Sequence, residues 1–340
     1  MTTAVFGHLP CGRAVERLTI TNAGLTAHVL TLGAIVQDLR LSGHPHPLVL
    51  GSPTLDAYLG PMRYFGAIVG RFANRLRGAH LQIDGTLHHL AANEGSGNCL
   101  HGGPDGCHAA LWSVAAHERA FVTLTLHQPD GHMGFPGALD ITAQLSITDQ
   151  AALRIALSAT CDAPTAVSLA HHGYFTLDGG DCVDHHLLQI AADGYLPTDA
   201  NQIPTGEIAP VAGTRFDFRR ARPIGAQLID HTFCLARQTV PLRPIAHLQA
   251  PGGQVTLRVS STQTGVQVYN AAHLQATGLS GLDGRRYGPR AGLALETQCW
   301  PDSPNQTGFP DAILRPDDRY HQITEYRVIH SQTVSAAQSN

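Results

Sequence analysis

Lysine is absent from this chain of 340 residues, so all 22 basic side chains are arginine. That excludes a Schiff-base lysine, a pyridoxal cofactor anchored on lysine and a phosphate loop ending in Gly-Lys-Ser/Thr. Charge of either sign is sparse, at 14% of residues against about a quarter in ordinary domains. The net charge of −4 carries no basic run, which argues against nucleic acid as a partner. No stretch approaches about eighteen apolar residues, so no membrane span is expected. The segment from Met1 to His8 has neither the basic nor the apolar part of a signal peptide. Cysteines stand at 11, 99, 107, 161, 182, 234 and 299, odd in number and with no C-x-x-C pair. Free thiols in a reducing cytoplasm are the expectation.

Glycine and proline are plentiful instead, at 35 and 21 residues. Period-two alternation recurs in Val122–Leu126, Leu139–Ile147, Leu153–Leu157 and Val255–Val259. Each reads as a strand with one buried and one wetter face. Turn chemistry separates them, as in Pro129-Asp130-Gly131, Asp178-Gly179-Gly180, Pro251-Gly252-Gly253 and Asp283-Gly284. The expected fold is mostly β, with large antiparallel sheets packed face to face as a sandwich. Neither a linker nor a fixed-period repeat divides the chain. Residues 1–330 therefore read as one domain, and the small polar residues 331–340 as a frayed tail.

Six glutamates occur, and Glu296 alone follows an apolar run, Ala291-Gly292-Leu293-Ala294-Leu295, with the pattern of a buried strand. A carboxylate there must find partners or shift its pKa, which makes Glu296 either a structural ion-pair member or a general base. Among 21 histidines, two stand out by context. His101 lies in Cys99-Leu100-His101-Gly102-Gly103, where glycines would let backbone approach a ligand. His172 lies in Ala170-His171-His172-Gly173-Tyr174-Phe175, between an apolar strand and aromatics. Zinc sets drawn from His171, His172, His185 and His186, or from Cys99, Cys107 and His101, lack the usual ligand spacings, so no metal is expected. Gly70-Arg71-Phe72-Ala73-Asn74-Arg75 follows an apolar segment. As a strand it would set Arg71 and Arg75 on one face and Asn74 on the other, either in solvent or against a polyhydroxy ligand.

These pieces, with others in the same order, resemble the aldose 1-epimerase (galactose mutarotase) family over nearly the whole length. They are Gly70–Arg75, Leu100-His101-Gly102-Gly103 and Asp130–Gly137, followed by His172-Gly173-Tyr174-Phe175 and Tyr195–Asp199. Pro204–Ile208, Asp230-His231-Thr232-Phe233 and Leu295-Glu296-Thr297-Gln298 complete the series. The resemblance implies a galactose mutarotase-like supersandwich with a sugar site on the concave face of one sheet. It implies Glu296 as general base and His172 as general acid. Asn74, Arg75, His101, Asp230 and Gln267 would hold sugar hydroxyls, with Tyr174 beside the acid. Where the family usually has Asn-His-Ser-Tyr-Phe-Asn, this chain has His171, Gly173 and Thr176 in place of the asparagines and serine. Asn270 likewise replaces the usual threonine after Gln267-Val268-Tyr269.

The reaction so implied interconverts the α and β anomers of a free aldose hexose of galactose or glucose type, with no cofactor. The partner would be a small monosaccharide; oligomeric state is not legible. Two other readings use the same residues: a glycosidase with Glu296 and Asp230 as its carboxyl pair, and a non-catalytic carbohydrate-binding sandwich. A sugar-phosphate substrate would call for clustered cations, and only Arg71 and Arg75 are near.

Overall fold

The computed structural model describes residues 2–275 and 280–330. The expected tail, 331–340, lies outside the described residues. Alternation in sequence becomes alternation in burial: Leu139–Ile147 buries every odd residue and leaves the even ones partly or fully exposed. Nine antiparallel strands make the largest sheet. Its central members are Phe121–Gln128, Leu139–Ile147, Ala152–Cys161, Tyr320–His330 and Val255–Ser261. The C-terminal strand thus pairs between two mid-chain strands.

A second sheet of six strands runs in the order Tyr174–Phe175, Leu293–Gln298, Gly265–Tyr269, Asp230–Cys234, Gly194–Tyr195 and Ala209–Pro210. The core lies between the two. Leu139, Ile141, Ala143 and Leu145 of the large sheet share one cluster with Phe233, Val266, Val268, Leu293 and Leu295 of the second. Each of the larger apolar side chains contributes roughly 1.5–3 kcal/mol by leaving water. The period of two then forces the residues between them to the opposite face. Thr232, Gln267, Ala294 and Glu296 therefore point away from the core, and the chemistry of the second sheet is collected on its outer side.

A four-stranded N-terminal sheet, Thr2–His8, Ala14–Asn22, Leu25–Leu30 and Val36–Leu41, adds Leu18, Ile20, Val29 and Leu39 to the same cluster. Among the described residues, helix is confined to short pieces such as Leu55–Tyr58. All seven cysteines are unpaired. No helix among the described residues is long and apolar enough to cross a membrane.

One segment departs from expectation. Residues 70–75 do not form a regular strand: the Gly70–Arg71 peptide is cis, Asn74 has φ of 61°, Phe72 makes an isolated bridge with Ser168, and Arg75–Leu76 pairs with Cys99–Leu100. Arg71 is turned inward and is 1% exposed.

Candidate active site

Glu296 sits in the strand Leu293–Gln298, directly opposite Gln267 in register. His172 is placed by backbone on both sides. Its N–H donates to Ala67 O at 2.8 Å, and its carbonyl accepts from Gly66 N–H at 2.9 Å. Tyr174–Phe175, just beyond, pairs with the Glu296 strand. The result is a separation of 3.6 Å between His172 Nε2 and Glu296 Oε1. Both residues are buried, at 5% and 2% exposure. Among the described residues, neither Glu296 Oε2 nor His172 Nδ1 has a hydrogen-bond partner.

Burial pushes the Glu296 carboxyl well above its ordinary value, and the negative charge of Asp230 adds to the effect, with Arg75 opposing. Burial also pulls the His172 imidazole down to about 4. Both shifts favour the neutral forms. The pair therefore holds a single mobile proton over a wide pH range, and its low-dielectric surroundings favour keeping that proton on the carboxyl.

His101 comes from the opposite side of the site. Asn74 N–H donates to His101 Nδ1 at 3.1 Å, and His101 N–H donates to Asn74 O at 2.9 Å. With Nδ1 occupied as an acceptor, neutral His101 carries its proton on Nε2 and is a fixed donor. Burial, aided by His172 and Arg75, holds it well below its ordinary pKa. Both Asn74 and His101 lie in the left-handed backbone region, at φ of 61° and 52°. Asn74 Oδ1 accepts from the Arg75 N–H at 2.9 Å, a local bond of the kind that makes this conformation tolerable for asparagine. Gly102 has a reason other than ligand approach. A Cβ there would fall 2.2 Å from Gly70 O, so its smallness lets two backbones meet.

Arg75 is clamped by Glu94, with Nε and Nη2 each 2.9 Å from a carboxylate oxygen. This bidentate pair fixes the guanidinium plane. Asp230 opens the neighbouring strand, and Gln267 donates to its Oδ1, while the Gln267 carbonyl accepts from Thr232. Gln202 donates to the other oxygen, Oδ2, at 2.9 Å. Tyr174 is buried with its ring 5.0 Å from that of His172 and 4.5 Å from Phe65. Burial raises its phenol well above the ordinary value, so it remains a neutral hydroxyl. A cavity of about 540 Å³ opens beside it, lined among the described residues by Tyr64, Phe65, Tyr174, Tyr269 and His273. A larger groove elsewhere, about 930 Å³ and bordered by Arg237, Thr262 and Tyr320, contains no carboxylate–imidazole pair of this kind among the described residues.

The eight residues singled out for the site all lie buried or half-buried around this constellation. Arg71 does not join them. It donates to Gln128 Oε1 at 3.2 Å, Pro136 O at 3.1 Å, Gly137 O at 2.7 Å and Thr165 Oγ1 at 3.2 Å. Its role is structural: the expectation of a strand with Arg71 and Arg75 on one face, in solvent or against a ligand, is corrected, since Arg71 donates into the interior while Arg75 pairs with Glu94. The zinc sets drawn from sequence are not assembled among the described residues. There, the group with potential ligand atoms within 4.8 Å of one another is His101, His172 and Glu296. Gln202, Glu94, Thr232 and Tyr64 were not legible as site residues. Thr232 lies within the Asp230-His231-Thr232-Phe233 piece and Tyr64 stands beside Phe65; the Tyr64 ring lies 4.9 Å from His101 and 6.0 Å from His172.

The departures at 171 and 173 prove to be linked. The His171 ring is buried against Tyr326, and both its nitrogens lack partners among the described residues. A Cβ on Gly173 would lie 2.4 Å from His171 Cε1. The small residue at 173 leaves room for the large one at 171.

Residues 16–327 match the family model described as aldose 1-epimerase. The chain belongs to the aldose 1-epimerase family. It is 37% identical to mouse galactose mutarotase over 342 residues, covering 96% of this chain and 98% of that protein. Aldose 1-epimerase of Escherichia coli K12 is 34% identical over 338 residues, with coverages of 94% and 97%. Among solved structures, an aldose epimerase homologue from C. elegans superposes with a TM-score of 0.87 at 30% identity, covering 93% of this chain and 99% of that one. Galactose 1-epimerase from Lactobacillus acidophilus NCFM gives 0.85 at 26%, with coverages of 97% and 99%. The protein is an isomerase of this family, and its fold is the galactose mutarotase-like sandwich expected from sequence.

Proposed function

We propose that this enzyme interconverts the α and β anomers of a free aldose hexose of galactose or glucose type, with Glu296 as general base and His172 as general acid. The observation that carries the assignment is the buried contact of 3.6 Å between His172 Nε2 and Glu296 Oε1. Family membership supplies the reaction type, and names such as galactose mutarotase among the relatives support the choice of sugar.

The chemistry follows from the pair's single proton. In the form with Glu296 ionised and His172 protonated, the carboxylate takes the proton of the C1 hydroxyl while the imidazolium protonates the ring oxygen. The C1–O5 bond breaks and an aldehyde forms at C1. The pair is then neutral, which is the state its burial favours. Rotation about C1–C2 presents the other carbonyl face. Glu296 returns its proton to the carbonyl oxygen, His172 removes one from the O5 hydroxyl, and the ring closes as the other anomer. Each well-placed acid or base contributes about 10² to 10⁴ in rate.

Arg75, Asn74, His101 and the Gln267–Asp230 pair offer donors and acceptors suited to several uncharged hydroxyls. Asp230 already accepts an amide N–H on each oxygen. That suits orienting a sugar better than protonating a glycosidic leaving group. The reading of residues 1–330 as one domain is supported by a core cluster that draws on residues from Leu18 to Val328.

The test is polarimetry on freshly dissolved α-D-galactose and α-D-glucose, comparing wild type with Glu296→Gln and His172→Asn. Each variant is expected to lose at least about 10²-fold in kcat while unfolding at the wild-type temperature. Near-normal turnover in either would remove that residue from its role.

A further inference from the structure

Asp230 is held from two directions that differ in kind. Gln267, which binds Oδ1, belongs to a central strand of the second sheet and is itself oriented by Thr232. Gln202, which binds Oδ2 at 2.9 Å, comes from a loop. That loop is well fixed. Asp199 Oδ1 accepts from Asn201 N–H at 2.9 Å and from Ile203 N–H at 3.1 Å, and Asp199 N–H donates to Ile203 O at 2.9 Å. Arg77 ties it down through Asp199 Oδ2 at 3.2 Å and Pro204 O at 3.3 Å. At its apex Gln202 has φ of 59°, a conformation that costs a non-glycine residue energy and persists where surrounding contacts enforce it. The enforced conformation directs the amide onto Asp230.

We propose that Gln202 is a positioning residue that acts through Asp230, fixing which carboxylate lone pairs remain for the sugar and so which hydroxyl stereochemistry the site accepts. A carboxylate has about four acceptor directions, and the two amides use one on each oxygen. What remains is directional. Without Gln202 the Asp230 carboxylate would be held through Oδ1 alone and could swing about that single bond, so two hydroxyl epimers would be discriminated less sharply. The charge of Asp230 also reaches Glu296, so loss of a donor that stabilises the ionised carboxylate is expected to alter the pH profile.

The inference rests on the reading of the Glu296–His172 constellation and its neighbours as the sugar site. It is tested by measuring kcat and KM for α-D-glucose and α-D-galactose in wild type, Gln202→Ala, Asp230→Asn and the double variant, with melting temperatures as a folding control. Gln202→Ala should raise KM about tenfold for the preferred sugar, with kcat within about threefold, and should shift the ratio of kcat/KM between the two sugars severalfold. In the Asp230→Asn background the same change should have little further effect. Gln202→Asn, which keeps the amide on a shorter arm, should fall between alanine and wild type. Unchanged KM and sugar ratio in Gln202→Ala, or additive effects in the double variant, would overturn the inference. If Asp230→Asn itself leaves both sugars unaffected, the placement of Asp230 in the sugar site fails instead.

Discussion

Replacing Gly173 by serine tests whether the histidine at 171 and the glycine at 173 are one structural change. Gly173 needs no special backbone freedom; the obstacle is the His171 ring, whose Cε1 and Nε2 lie 2.4 and 3.0 Å from where the new Cβ would be. The first of these is closer than real Cβ atoms come, and the ring is buried against Tyr326, 5.5 Å between centroids. Overpacking of this sort costs about 1–3 kcal/mol. For 340 residues the unfolding entropy is roughly 0.7 kcal/mol per kelvin, so Gly173→Ser should lower Tm by about 1.5–4 °C.

His172 lies between the two positions, so relief of the overlap should displace it from Glu296, and a displacement near 1 Å can cost about 10²-fold in rate. His171→Asn should also destabilise, by loss of packing. The double variant His171→Asn/Gly173→Ser should recover most of both losses, with a coupling of roughly 1–3 kcal/mol. Thermal unfolding and polarimetry on the four proteins decide it. Additive losses, or a Gly173→Ser protein with wild-type Tm and kcat, would refute the reasoning and show that the ring has room to move.

The remaining predictions concern charge. The pH profile of kcat/KM should be bell-shaped, because only the singly protonated Glu296–His172 pair has both an acid and a base. Its acid limb should fall near 4, where His172 charges, and its alkaline limb above the ordinary carboxylate range, where Glu296 loses its proton. An acid limb near 6.5 would contradict the burial argument. Stability should fall as pH drops from 6.5 towards 4, because His108, His172 and His231 are held at about 4 and His171 at about 3, chiefly by burial. Unfolded histidines take up protons in that window and these do not, at an upper limit of roughly 1.4 kcal/mol per pH unit for each. Glu296, raised by burial, works in the opposite direction, and a flat Tm between about pH 7 and 4.5 would refute the net effect. Arg71→Met should remove donors from three buried acceptors and one half-buried one, cost about 3–5 kcal/mol and lower Tm by about 4–7 °C while changing KM little; a large rise in KM at unchanged Tm would place Arg71 at the sugar.

Strands were readable where one face is buried and the other wet. Leu139–Ile147 appears with the limits its alternation suggests, and Val122–Leu126 lies within the longer strand Phe121–Gln128. Glu296 was readable because a carboxylate at the end of an apolar run cannot sit there idle: it must be paired, shifted in pKa or put to use. Residues 70–75 are not readable this way: a left-handed asparagine leaves no periodic trace, and neither does the inward turn of Arg71 onto Gln128, Gly137 and Thr165. Gln202 was invisible on separate grounds. Its importance depends on a loop folding back onto a strand 28 positions away, and nothing in the local sequence records that distance.

The depth of the Glu296–His172 pair has one more consequence. A hydrolase must admit water to its acid and base at every turnover, so sealing them away from bulk would throttle it. Opening and reclosing a hemiacetal returns every proton it borrows. Rate by this enzyme should therefore be indifferent to buffer concentration at fixed pH, and an acid and base this deeply buried are ones an isomerase can keep.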